Sequence, residues 1–174
     1  MNEPRVAPPA TTSTDLIQAS PLALQPDLLD AFLRLYGTLW SHGEVDHAAK
    51  ELARVRNARL VGCPICKAIR FRDARREGLT EEILDRVHDG WRDGPLGARE
   101  KAVLGLVDAM VAGSGDLDAA GRAALLAHFS PAQIVELAAG VALFMGFSKI
   151  AVALGGLPDE IPVHEQPTPT VPAP

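Results

Sequence analysis

The chain has 174 residues, 47% hydrophobic and 22% charged, the mix of one globular domain with a sizeable core. Its net charge of -5 disfavours a nonspecific phosphate-backbone footprint, so no nucleic-acid partner is expected. Two cysteines are too few for a disulfide-rich secreted scaffold, and the N-terminal segment lacks the apolar run of a secretory signal; a cytosolic setting follows, where a dithiol rests mostly reduced.

Residues 1–25, rich in Pro, Ala, Thr and Ser, read as a flexible arm with a short turn near Asp15 to Ala19. Pro26 suits a first helical turn, and Leu28, Leu29, Phe32, Leu35, Tyr36 and Leu39 follow at helical spacings until Gly43. Asp46 is placed to cap a helix through Leu60 that Gly62 closes. A further helix is predicted from Cys63-Pro64 to about Glu77, then one from Thr80 to about His88. Gly90 to Gly97 forms a loop whose Trp91 is expected to rim a site or a subunit contact. Helices are then predicted over Ala98 to Val111, from Asp116 or Leu117 to His128, and from Ser130-Pro131 to about Leu154.

Ile134 to Leu157 is strongly apolar, but Glu136 and Lys149 leave only 12 uncharged residues between them, short of the roughly 20 that a bilayer crossing needs. No membrane span is expected; the small residues Gly140 and Gly146 suit a buried or subunit-facing helix. Pro158 and Pro162 stop that helix, and the Pro-rich remainder has few groups to bury. No window alternates convincingly, so no sheet is expected. The expected fold is all-α: a compact single domain of about six to seven helices over 26–157, between a flexible arm (1–25) and a Pro-rich tail (158–174).

Chemistry concentrates in Cys63-Pro64-Ile65-Cys66. The i, i+3 spacing puts both sulfurs on one side of an exposed helical first turn, where free N–H groups favour a thiolate. On a helix continuing past Cys66, Arg70 would share its face at i+4, with Lys67 adjacent. Such a pair suits cycling between dithiol and disulfide. Two alternatives stand beside that reading. Buried cysteines are common core residues. A structural zinc site would need two further ligands, and none of His42, His47, His88, His128 and His164 lies at a short offset from the pair. Glu51, 12 residues before Cys63, could relay a proton if its helix turns back at Gly62, or could be a surface glutamate favoured by the helix dipole.

The segment Glu51 to Phe71 resembles the carboxymuconolactone decarboxylase-like family, which includes AhpD-type alkylhydroperoxidases. Glu51, Cys63 and Cys66 match the family pattern in identity and spacing, and a weaker likeness extends over residues 26–156. The resemblance implies an all-α fold, a homo-oligomer (trimer or hexamer) and, in peroxidase members, a dithiol in which Cys66 attacks peroxide, Cys63 resolves and Glu51 serves in acid–base chemistry. Two positions depart from the pattern: Arg70 stands where a histidine is expected, and Ile65 where a second one is possible. Arginine stays protonated, so Arg70 can act only by charge, holding Glu51 or a thiolate.

The resulting functional expectation is a thiol-dependent peroxidase or related dithiol/disulfide oxidoreductase with Cys66, Cys63, Glu51 and Arg70 at its site. Its partners would be a peroxide or small disulfide and a thiol or protein electron donor. No dinucleotide or phosphate-binding glycine loop is present, so no bound cofactor is expected. The alternatives are a helical oligomeric scaffold or small-molecule binding protein, and a lactone-decarboxylase-type enzyme using Glu51 and Arg70. The aromatics Phe32, Tyr36, Trp40 and Phe71 are assigned to the core, and Arg72, Arg75 and Arg76 to a solvated face or salt network.

Overall fold

A computed structural model describes residues 3–13, 15–155 and 161–172. Among these, a 3₁₀ turn (Pro21–Leu24) precedes α1 (Pro26–Ser41), α2 (His47–Val61), α3 (Pro64–Ala68), β1 (Ile69–Phe71), α4 (Arg72–Arg76), α5 (Glu81–Asp85), α6 (Ala98–Val111), α7 (Ala119–Leu126), α8 (Pro131–Leu154) and β2 (His164–Gln166). The fold is an all-α single domain, with eight α-helices among the described residues. The expected 157/158 boundary lies outside them.

Helix α2 is the axis. Its Asp46 side chain accepts from Ala49 N–H, and Gly62 ends it in the left-handed region at φ 75°, which a side chain resists. Every residue from Ala49 to Ala58 is buried, so α2 has no solvent face to be polar on. Its buried charges are instead paired: Lys50 with Glu136 at 2.8 Å, Glu51 with Arg54 at 2.7 Å, Arg56 with Asp108 at 2.6 Å. Around it pack α8, α6, α4 and α3.

Helix α8 carries a capping box, with Ser130 and Gln133 exchanging side-chain and backbone bonds. It is long and apolar enough to cross a membrane by length and composition. Its Leu137, Gly140, Val141, Phe144 and Ser148 are nevertheless buried along one stripe of the protein, and Glu136 joins Lys50. The expected aromatics meet beside it: Trp40 and Phe71 lie 4.7 Å apart between ring centroids, and Phe32 stacks on Tyr36 at 5.4 Å.

Three local expectations are corrected. The helix predicted from Cys63 to Glu77 breaks at Ile69–Phe71, which is extended and fully buried, giving two five-residue helices. No sheet was expected, yet Ile69, Arg70 and Phe71 pair in parallel with His164, Glu165 and Gln166. Three residues are too few to show alternation, and a parallel partner is always remote in sequence. Trp91 packs in the core at 3% exposure rather than at a rim, its indole N–H donating to Asp108 at 3.0 Å.

Described parts of both terminal segments lie against the domain. Residues Asp15 to Ala19 form the expected turn, and Arg5 donates through its backbone and guanidinium to the carbonyls of Leu154 and Ala153 at the end of α8. Beyond β2, Asp73 N–H donates to Thr168 Oγ1 at 3.0 Å and Ser41 Oγ to the Pro169 carbonyl at 2.6 Å. A Cβ at Gly37 would collide with the Thr170 backbone.

Candidate functional site

Gly62 turns the chain back from α2, and Cys63 N–H donates to the Ala58 carbonyl at 3.0 Å. That return sets Cys63 as the cap of α3, its sulfur accepting from Cys66 N–H at 3.3 Å, with Pro64 at a position that needs no N–H. The two sulfurs are joined as a disulfide, with Cα atoms 5.3 Å apart, inside the usual range of roughly 4.4–6.8 Å.

The pair is buried, not exposed as expected. Cys63 is fully enclosed and Cys66 retains 7% exposure, in a small cluster with Ala58, Ile65 and Ala151. Part of the cover, Ala151, comes from α8, which the local sequence around the cysteines does not reveal. Cys66 is the sulfur a reagent meets first.

Beneath the pair, Glu51 and Arg54 form a buried bidentate ion pair through two 2.7 Å bonds. Arg54 also donates to the carbonyls of Cys66 and Ile69, each at 2.6 Å, while Glu51 accepts from Phe71 N–H at 3.2 Å. These bonds satisfy the backbone groups freed where the helix breaks, and so hold the break open. Burial works against the Arg54 charge, but the Glu51 carboxylate outweighs it and holds the guanidinium pKa above its ordinary value. Burial also pushes the Tyr36 phenol well above its usual range. Among the described residues, no hydrogen bond joins Glu51 to either sulfur.

Arg70 points elsewhere. Because the backbone leaves the helix at Ile69, the i+4 relation to Cys66 is lost. Its guanidinium donates to Glu81 at 2.9 Å and to the carbonyls of Lys67 and Ile69 at 2.6 and 2.8 Å. The site thus unites Cys63, Cys66 and Glu51, while Arg70 fastens the outer side of the segment to α5. His88 and His128 are exposed, and His88 Nδ1 accepts from Gly90 N–H at 3.0 Å. No group of three or more His, Cys, Asp or Glu able to hold a metal occurs among the described residues.

The carboxymuconolactone decarboxylase family model matches residues 26–89, which contain Glu51 and both cysteines. Across more of the fold, the chain resembles the crystal structure of an Agrobacterium tumefaciens protein of unknown function, provisionally described as the antioxidant defence protein AhpD. The two are 28% identical, with a TM-score of 0.62, over 83% of this chain and 95% of that one. An uncharacterised peroxidase-related protein from Silicibacter sp. TM1040 shares the fold at 20% identity and a TM-score of 0.65, over 80% of this chain and 73% of that one. Residues 26–89 are carboxymuconolactone decarboxylase-like, and the fold is AhpD-like. A search of curated proteins finds no match.

In this AhpD-like domain one further polar residue reaches the cysteines directly and a second reaches them through it. Ser148 Oγ, on α8, donates to Cys66 Sγ at 3.4 Å, and Asn57 Nδ2, on α2, donates to Ser148 Oγ at 3.1 Å. Both are buried, and Asn57 Oδ1 has no partner among the described residues. Ser148 lies far from the cysteines in sequence, whereas Asn57 precedes Cys63 on the helix before them. Their one signal was a serine on the inner stripe of an otherwise apolar helix. Arg54 has no role assigned from the sequence; its spacing of three from Glu51 on one helix was the usable clue.

Proposed function

We propose that the protein is a dithiol peroxidase or closely related disulfide oxidoreductase acting in a reducing, cytoplasmic setting. The observation that supports this most is the bonding geometry of Cys63 and Cys66, with Cys66 the more accessible sulfur. In the reduced protein the Cys66 thiolate attacks a peroxide oxygen. An S–O bond forms, the O–O bond breaks, and the leaving alkoxide or hydroxide takes a proton. Cys63 then attacks the sulfenic sulfur, forming the disulfide and releasing water. A thiol or dithiol donor returns two electrons and two protons by exchange. Glu51, locked to Arg54, serves mainly to shape the segment that carries Cys66. Arg70 serves the same segment from outside through Glu81. The homo-oligomer belongs to this proposal too, and exposed Leu28, Leu35 and Val135 offer it apolar surface.

The test is intact mass of the reduced protein after hydrogen peroxide or an organic hydroperoxide. Wild type is expected to lose the mass of two hydrogens. Cys63→Ser is expected to gain one oxygen, and Cys66→Ser to do neither. Burial of both sulfurs favours a second reading, an inert helical scaffold or binding protein. No oxidation of the reduced wild type would select it.

A further inference from the structure

Serine in a helix interior ordinarily faces water or bonds back to the carbonyl four residues earlier. Ser148 is instead buried at 2% exposure and turned across the helix interface onto a sulfur. The amide of Asn57, itself fully enclosed, donates to the serine oxygen, which leaves the hydroxyl hydrogen directed at Cys66. The line Asn57–Ser148–Cys66 draws one group each from α2, α8 and α3. The first two belong to the tightly packed centre of the fold, so the donor sits on rigid elements.

We infer that Ser148 is a catalytic residue of the dithiol site, stabilising the Cys66 thiolate by a hydrogen bond, with Asn57 as the positioning residue that orients its hydroxyl. This rests on the dithiol reading above and adds the groups that set the reactivity of its attacking sulfur. When reduced Cys66 ionises, its proton passes to solvent and Ser148 keeps its own. The hydroxyl donates more strongly to a thiolate than to a thiol or disulfide sulfur, so the bond selects the reactive form. Other charges surround Cys66 without meeting its sulfur. Arg54 bonds its carbonyl, Glu51 is held by Arg54, Arg70 is turned to Glu81, and Lys67 and Lys149 are exposed.

The experiment uses reduced full-length chain carrying Cys63→Ser, so that Cys66 is the only thiol. Thiolate absorbance and the rate of iodoacetamide alkylation are followed against pH, with unfolding temperature as the check on folding. Ser148→Ala is expected to raise the proton affinity of Cys66 about tenfold. Asn57→Leu, a near-isostere without the donor, is expected to move it in the same direction by less. Ser148→Thr, which keeps the hydroxyl, is expected to return the profile towards that of Ser148. An unchanged profile in folded Ser148→Ala overturns the inference, even if peroxide still oxidises Cys66. A shifted profile upholds it, even if no peroxide reacts and the peroxidase reading falls.

Discussion

Arg54 and Arg56 leave α2 two residues apart, and both are buried against carboxylates. What they hold differs. Arg56 joins side chain to side chain: Asp108 of α6 at 2.6 Å and Asp89 at 2.9 Å, the latter 94% exposed. Trp91 and Arg92 add their own bonds to the second Asp108 oxygen at 3.0 and 3.2 Å. Arg54 joins side chain to main chain, gripping the carbonyls of Cys66 and Ile69 with Glu51 as its counter-ion. The Arg56 cluster fastens one element to another. The Arg54 cluster sets the path of the backbone that bears Cys66. Buried ion pairs on a single helix can therefore serve unlike ends.

The largest effect expected is that of Arg54→Met. It strands a buried carboxylate and should cost about 3–5 kcal/mol, read by chemical denaturation. Adding Glu51→Leu should recover much of that loss, because an apolar pair can replace a buried ion pair. The double variant also loses the acceptor for Phe71 N–H, so hydrogen exchange there should be faster than in the wild type. A cost no greater than that of a surface ion pair would erase the contrast.

Arg56→Met should cost less, about 1.5–3 kcal/mol, since Asp108 keeps Trp91 and Arg92 and the exposed Asp89 leg adds little. Its sharper use is chemical: cysteine alkylation in the reduced protein should proceed at the wild-type rate. A slowed rate would show that the two clusters are coupled.

The smallest effect lies at the start of the helix that carries both arginines. Burial raises the Asp46 pKa, but the Arg99 bond and the Ala49 N–H outweigh it, and the carboxyl is held below its ordinary value. Its contribution is complete above the unfolded aspartate range, near pH 4, and fades as pH falls through the lowered folded value. Asp46→Ala should cost about 1 kcal/mol at neutral pH and progressively less in acid. A pH-independent difference would count against the cap.

Much of this was legible because it is local. Asp46, Gly62, Ser130 and Pro131 act on their own turns, and α1, α2, α6 and α8 begin and end close to where such residues put them. The spacing of Glu51 to the cysteines likewise marks the site. The break at Ile69–Phe71 was not legible, since its groups are satisfied by a guanidinium, a carboxylate and a strand from elsewhere in the chain. Arg70 was misplaced for the same reason: a four-residue offset means one face only while the helix continues. Part of the cover over the cysteines and the Ser148 bond come from α8, some eighty residues further on.

The parallel ladder beside the cysteines carries one more consequence. Strand β2 reaches β1 only after the chain has run the length of α8 and come back, so the tether beyond Leu154 sets the local concentration at which the two meet. Three residues of pairing are short by themselves, and the bonds to Thr168 and Pro169 beyond the strand add to its hold. Were β2 displaced, β1 would be left with an open edge three residues beyond Cys66, a template on which another extended polypeptide could dock.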